Sequence, residues 1–392
     1  IYTGGIGTLL TSFLNSRERG KDIQNICLQC GTCNTVCGGK LDIAGMILKL
    51  RTKFAQEDGL NPVHKFCLDT VADRHLFHSM LRIASVAQGM ITKGQPMIRH
   101  LPMFLSGLTA GRSLPSVAPQ PFRDILPTIK QDVPNPKGKI AIFTGCLLDF
   151  VYVDIATDVV KALNMAGYIV EMPLGQACCG APATYMGDVE NAKKAAEMNL
   201  NAMEAEKYDY IVSACPTCTH ALRDYVDFFK DDPEMLKKAE ALRSKTFDFC
   251  KLVSMLGGLP DTGDGVPMKV TYHDSCHLNR YLGVTKEQRE LLKATKGVEL
   301  IEMHDCDKCC GFGGSYSVKF PEMSAPILEE KINNIVASGA DVVAVDCPGC
   351  LLQIRGGLDA RGLNNIQVKH TAQIVVEKRE KKIGNNVGRK GK

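Results

Sequence analysis

The sequence predicts an α/β protein: a small helical N-terminal domain, then two tandem, pseudo-symmetric α/β cysteine-rich domains with short parallel sheets. Three observations carry this. A five-cysteine pattern occurs twice, as Cys146, Cys178-Cys179-Gly180, Cys215-Pro216-Thr217-Cys218 and as Cys276, Cys309-Cys310-Gly311, Cys347-Pro348-Gly349-Cys350. The single cysteine precedes the pair by 32 residues in one copy and 33 in the other, and the pair precedes the closing Cys-x-x-Cys by 37 and 38. Ten cysteines in matching register mark an internal duplication of roughly 130 residues. Within each copy, short apolar runs alternate with helical stretches, the pattern of parallel βαβ units. The cysteines fall just past the ends of the predicted strands, where open α/β sheets place their sites. Folding therefore gathers five distant thiols at one edge of each unit.

The remaining elements follow in chain order. Residues 1–106 form the helical domain. A short helix over Gly7–Ser16 leads into Cys27-Leu28-Gln29-Cys30-Gly31-Thr32-Cys33-Asn34-Thr35-Val36-Cys37. Residues 41–56 carry helical periodicity, with Asp42 as the cap. Residues 62–93 read as further helix, broken by Gly89 and Gly94. His64, His75 and His78 lie there, and the Met and Leu stripe from Met80 to Met103 reads as core or partner interface. Residues 107–138, with Pro115, Pro119, Pro121, Pro127, Pro134 and Pro136, predict no regular element and read as a surface linker.

The first cysteine-rich domain spans 139–262. It has a strand from Lys139 towards Cys146, a helix from Ile155 to Ala166, a strand from Tyr168 to Met172, a helix capped by Asp188 and running to Lys207, a strand from Tyr210 to Ser213 and a helix from Thr219. The second, 263–378, repeats the order, with strands over Lys269–Tyr272, Val298–Glu302 and Asp341–Val345. Residues 379–392 form a basic tail.

Composition sets the class. A formal charge of +4 over 392 residues is too small to argue for nucleic acid. The tail's lysines and arginines read as a solvated end, with peripheral contact to an anionic membrane surface as the second reading. No signal peptide and no apolar run of about 18 residues is present, so no membrane span is expected. Seventeen clustered cysteines in a long α/β chain point to metal in a reducing cytoplasm rather than to disulfides. No G-x-G-x-x-G follows a strand, so no flavin is expected in this chain.

The spacing of Cys27, Cys30, Cys33 and Cys37 is that of bacterial ferredoxins, in which three thiolates surround one cubane and the fourth serves a neighbouring cluster. Gly38 stands where a proline usually follows. No second such motif is present, so three arrangements stay open: a partner motif upstream of Ile1, closure by Cys37 itself, or a fourth ligand such as Cys67. The chain begins at Ile1 rather than Met, and an upstream partner on a longer chain is the favoured arrangement. In the duplicated units, five thiols exceed the four that zinc or a regular cubane takes. A shared thiolate could bridge irons, or one ligand could be labile. The amides of the Gly311-Phe312-Gly313-Gly314-Ser315 stretch suit hydrogen bonds to cluster sulfur.

With these residues in view, the chain resembles the cysteine-rich CCG family: heterodisulfide reductase catalytic subunits, glycolate oxidase iron–sulfur subunits and the lactate-utilisation proteins. Gly175-Gln-Ala-Cys-Cys-Gly-Ala-Pro, His273-Asp-Ser-Cys-His-Leu and Cys309-Cys-Gly-Phe-Gly-Gly-Ser-Tyr-Ser-Val-Lys carry the resemblance over residues 139–377. Residues 1–130 resemble the tail of a larger lactate-utilisation partner, through Ile1-Tyr-Thr-Gly-Gly-Ile-Gly, the ferredoxin-like motif, Ser106-Gly-Leu-Thr-Ala-Gly-Arg and Pro121-Phe-Arg-Asp.

The resemblance implies an iron–sulfur electron-transfer subunit of a lactate (2-hydroxy acid) dehydrogenase complex, cytoplasmic or peripheral on the inner face of the membrane. An FAD-containing partner would supply electrons, a ferredoxin-type [4Fe-4S] cluster and one or two CCG-bound [4Fe-4S] clusters, cubane or non-cubane, would carry them, and a quinone or other carrier would accept them. Zinc in one CCG site is the structural alternative. The alternative function is a heterodisulfide-reductase-like catalytic subunit reducing a disulfide or quinone at a CCG-bound cluster, with His220, His273, His277 and Lys308 as candidate proton donors. Cys67, Cys250 and Cys306 fall outside the motifs and read as buried thiols, Cys306 also as an alternative ligand.

Overall fold

The duplicated apolar runs fold as two parallel sheets of the same order. In the computed structural model, which describes residues 4–14, 16–92, 97–98, 113–260 and 265–379, the first sheet has β1 (Gly138–Ile142), β2 (Tyr168–Glu171), β3 (Tyr210–Ser213) and β4 (Thr246–Asp248), arranged β2-β1-β3-β4. The second has β5 (Met268–His273), β6 (Val298–Leu300), β7 (Val342–Val345) and β8 (Gln367–Lys369), arranged β6-β5-β7-β8. The register repeats as well: Ile140 sits between Val170 and Tyr210, and Val270 between Leu300 and Val342. All of these pairings are parallel. Ile140, Ile142, Val343 and Val345 are fully buried, as strands covered on both faces require.

The helical domain starts with α1 (Gly4–Leu14), α2 (Arg17–Asn25) and α3 (Thr32–Val36). Next come α4 (Ile43–Asp58), α5 (Pro62–Ala72) and α6 (Arg74–Thr92). Asp42 does cap α4, accepting the Gly45 amide at 3.0 Å. The break expected at Gly89 falls instead at Asp73, whose carboxylate accepts the Leu76 amide and starts a new helix. One glycine costs a helix about 1 kcal/mol, less than a cap together with tertiary packing returns, and α6 continues through it. The second expected break, Gly94, lies outside the described residues, as do Met103, residues 107–112 and the tail from 380.

The proline-rich segment is more ordered than its composition suggests. Among its described residues a helical turn, Phe122–Ile125, is followed by a 3-10 turn, Leu126–Thr128. Phe122 is fully buried in the core of the first unit. The turn is held from outside the segment: the buried Asp149 carboxylate takes the Arg123 amide at 3.0 Å and its guanidinium at 2.7 Å. A two-residue antiparallel ladder pairs Met97–Ile98 with Leu114–Pro115.

In the first unit α7 (Val153–Met165), α8 (Val189–Met203), α9 (Pro216–Asp224) and α10 (Phe249–Met255) flank the sheet. Helix α8 stops at Met203 rather than Lys207, because Glu204 turns to φ 40. The second unit supplies α11 (Glu287–Lys293), α12 (Pro321–Ser338), α13 (Pro348–Ala360) and α14 (Thr371–Arg379). The units dock by exchange of equivalent helices, α14 packing on α7 and α10 on α11. Val159, Val160, Val253, Leu291, Val375 and Val376 fuse into one apolar core across that junction. Hydrophobic burial thus fixes the two cysteine-bearing edges relative to each other.

Candidate metal centres

Strand order explains where the thiols sit. A β2-β1-β3-β4 sheet reverses its winding between β1 and β3, and ligands gather outside the carboxyl ends there. Cys146 follows β1 and Cys215 follows β3. Cys215 immediately precedes α9, with Pro216 as its first residue, a position that needs no amide hydrogen. Cys347 and Pro348 repeat this at α13. The glycine after each cysteine pair is a backbone requirement: Gly180 has φ 78 and Gly311 φ 82, the left-handed region that side chains avoid. This turn aims the Gly311 amide at the Cys309 sulfur, 3.3 Å away.

Docking brings both sets to one place. Thiol-to-thiol contacts run continuously from Cys146 through Cys178, Cys179, Cys218 and Cys215, cross to Cys347, and go on through Cys350, Cys310 and Cys309 to Cys276. The path is symmetric about the Cys215–Cys347 contact. All ten thiols line one cavity of about 880 Å³, which Cys27 also reaches. The expectation of one site at the edge of each unit becomes two sites facing each other.

Crowding divides the thiols electrically. Cys179 is pulled down to about 6 because the Cys178 and Cys218 thiols donate to it. Cys309, between Cys276 and Cys310, and Cys347, between Cys215 and Cys350, are pulled down in the same way. Cys276 is pushed up by its contact with Cys309 and by burial. Ten thiolates this close, seven of them buried and three half-buried, cannot all be charged without compensating cations. Soft, thiolate-rich surroundings select iron–sulfur clusters, zinc or Cu(I). The donor set therefore fits a thiolate-bound metal group, and the buried His273 adds to the fit: neither ring nitrogen has a partner among the described residues.

The ferredoxin-like motif lies alongside. Gln29 with φ 54 and Gly31 with φ 71 curl the loop between α2 and α3. The Gln29 amide and side-chain NH₂ both point at the Cys27 sulfur, at 3.5 Å. Cys33 is pushed up by burial and by the charges of Cys27 and Cys30, so these three thiols share one neighbourhood. Cys37 follows α3 and packs with Cys27 and Cys33 beside Leu9, Ile43 and Ile47.

Two side chains outside the motif anchor this loop. The Arg51 guanidinium donates to Gln24 Oε1 at 2.8 Å, to the Gln24 carbonyl at 2.5 Å, to the Cys27 carbonyl at 3.2 Å and to the Tyr185 carbonyl of the first unit at 2.5 Å. From the second unit, the Tyr281 hydroxyl donates to the Gln29 carbonyl at 3.0 Å.

Tyr281 also bridges the two kinds of site. Its ring stacks on His277 at 4.9 Å, and the His277 Nδ1 lies 3.5 Å from the Cys276 sulfur. The other His277 nitrogen meets the Tyr185 hydroxyl at 2.7 Å. His220 packs edge-on against Tyr281 at 4.8 Å and pairs with Asp224 at 2.7 Å. Of the four candidate proton donors, His273 and His277 lie next to thiols, and His220 packs one ring further out, against His277 and Tyr281. Lys308 does neither: its ammonium is turned outward to Asp305 and Glu330, each at 2.7 Å. Sequence reading missed Arg51, Tyr185 and Tyr281. Only Tyr281, five residues after Cys276, carried any positional signal.

Cys67 is exposed on α5, against its reading as a buried thiol. Cys250 is fully buried among Asp248, Asp346 and Thr371. Cys306 is half-buried, accepts from Arg289 at 3.6 Å, and is pushed up to about 11 by burial and the Asp274 charge.

Comparison with known proteins gives a consistent picture. The CCG cysteine-rich domain model matches residues 140–223 and 270–355. The chain is 39% identical over 240 residues to "Lactate utilization protein A" of Shouchella clausii, covering 61% of this chain and 99% of that one. It is 36% identical to the protein of that name from Bacillus subtilis, covering 60% and 98%. A "Probable glycolate oxidase iron-sulfur subunit" of B. subtilis matches at 31% over 375 residues, 92% of this chain and 84% of that one.

Proposed function

Because this chain belongs to the cysteine-rich CCG family that includes lactate utilization protein A and the glycolate oxidase iron-sulfur subunit, we propose that it is the iron–sulfur electron-transfer subunit of a lactate, or closely related 2-hydroxy acid, dehydrogenase complex. The partner is an FAD-containing subunit that converts the hydroxy acid to the oxo acid and gives up two electrons and two protons. This chain passes the electrons to a quinone or another carrier, from a cytoplasmic position that permits contact with the membrane. No helix among the described residues is long and apolar enough to cross a membrane.

Cys27, Cys30 and Cys33 hold a ferredoxin-type [4Fe-4S] cluster, and Cys37, packed beside Cys27 and Cys33, serves this cluster or a neighbouring one. Cys146, Cys178, Cys179, Cys215 and Cys218 form the second site, and Cys276, Cys309, Cys310, Cys347 and Cys350 the third. Each is suited to a [4Fe-4S]-type group, with zinc in one of them as the structural alternative. When bound, such clusters supply one-electron redox chemistry without proton transfer. The chain's own residues fix the spacing: Arg51 and Tyr281 hold the ferredoxin-like loop against both units, and the fused core holds the units together.

The observation that carries this reading is the continuity of the three thiol sets. Cys27 reaches the cavity lined by the other ten, and Tyr281 spans from the Gln29 carbonyl to the ring beside Cys276. A wire needs centres close together, and the shared lining of one cavity supports that reading.

The cavity itself favours a second reading, reduction of a disulfide between the two five-cysteine sites. Its volume of about 880 Å³ falls in the range of ligand pockets, and Tyr185 and His277 line it.

Anaerobically purified protein, mixed with its flavoprotein partner and lactate, tests both. Lactate-dependent bleaching reversed by a quinone supports the first reading. Bleaching that only a disulfide reverses supports the second. A colourless protein unchanged by dithionite contradicts both.

A further inference from the structure

The two five-cysteine sites differ at one matched position. Three residues before the single cysteine, the first unit has Phe143 and the second has His273. Phe143 is fully buried in an apolar cluster. His273 is 1% exposed, yet among the described residues neither Nδ1 nor Nε2 has a partner. Burying an imidazole with both nitrogens empty is unfavourable, and an aromatic hydrocarbon fills the equivalent space next door. The imidazole does not point into empty packing. One ring nitrogen, the Cys310 sulfur and the Cys350 sulfur all lie within 4.8 Å of one another.

We propose that His273 supplies a nitrogen ligand to the metal group of the second unit, so that the two five-cysteine sites are chemically unequal. The inference rests on the reading that these cysteines hold metal. A neutral imidazole in place of a thiolate leaves the centre less negative, and such replacement raises the reduction potential of iron–sulfur centres. The second unit is then the electron-accepting end of the pair, and the all-cysteine first unit the donating end. Phe143 cannot play this part, which is why the asymmetry follows from the sequence of this chain and not from the shared fold.

The test uses the full chain purified without oxygen. His273→Phe installs the aromatic ring that the first unit already buries at this place. Pulsed EPR of the reduced protein is expected to show a strongly coupled nitrogen that is absent in His273→Phe and retained in His277→Gln. X-ray absorption at the iron and zinc edges is expected to lose one nitrogen scatterer in His273→Phe, whichever metal is bound. If His273→Phe fails to fold, ¹⁵N-histidine labelling of His277→Gln reads the same coupling in a chain that keeps His273. Unchanged nitrogen signals and an unchanged potential in a metal-loaded His273→Phe protein would overturn the proposal. A wild-type protein without iron or zinc would instead remove the metal-site reading on which it stands.

Discussion

The two copies of the Cys-Cys-Gly turn offer an internal control, because the same substitution meets different surroundings. Gly180→Ala and Gly311→Ala both force alanine into the left-handed region, at φ 78 and 82. That alone costs about 1 kcal/mol. The new methyl at Gly180 would rest 3.3 Å from the Ala192 carbonyl and from the Ala195 methyl, a tight contact that small shifts relieve. At Gly311 it would sit 2.8 Å from the Ser324 carbonyl oxygen. That oxygen belongs to α12, and the Ser324 hydroxyl donates back to the Gly311 carbonyl at 2.8 Å while Gln353 donates to the hydroxyl at 3.1 Å.

Relieving the overlap means moving the helix or breaking this network, a further ~1–3 kcal/mol. The expected losses are therefore about 1 kcal/mol for Gly180→Ala and about 3 for Gly311→Ala. Urea unfolding of both variants in the same metal state, followed by far-ultraviolet circular dichroism, measures them. Equal losses, or a larger loss at Gly180, would refute the steric argument.

Other consequences are nearer the centres. Arg51→Met removes a buried guanidinium from three carbonyls and the Gln24 amide oxygen, and should cost about 3 kcal/mol. The same denaturation series checks it, and a loss below about 0.5 kcal/mol would show that the loop is held by other contacts. His78, packed 5.0 Å from Phe150, is pulled down to about 3 by burial and by the charge of Arg123. Its folded value lies below its unfolded one, so wild-type stability attributable to the neutral ring is present at neutral pH and falls away as pH drops below about 6.5. Relative to His78→Gln, the wild type should therefore lose ground between about pH 6.5 and 3; a pH-independent difference would contradict this.

The duplication made most of the fold legible. Two matched sets of strand, cysteine and helix already imply matched sheets, and β1, β2, β3, β5, β6 and β7 fall within a few residues of their expected places. The edge strands β4 and β8 were missed, because three residues such as Thr246–Asp248 carry no period that composition can reveal. Phe122 was hidden by the prolines around it: its burial depends on Asp149, a partner too distant in sequence to signal it. The largest gap was the meeting of the two sites. Each unit's cysteines were readable alone, but their confrontation across Cys215 and Cys347 depends on α14 fitting α7 and α10 fitting α11. Such surface complementarity leaves no motif. The contrast of Phe143 with His273, by comparison, was present in the aligned copies throughout.

Electron transfer through this chain requires three thiol sets that hold redox metal. Counting iron, acid-labile sulfide and zinc in protein purified without oxygen tests this most directly. Three [4Fe-4S]-type groups require about 12 iron and 12 sulfide per chain, with no zinc. Zinc alone, without sulfide, would mean that the cysteines are structural and that this chain carries no electrons.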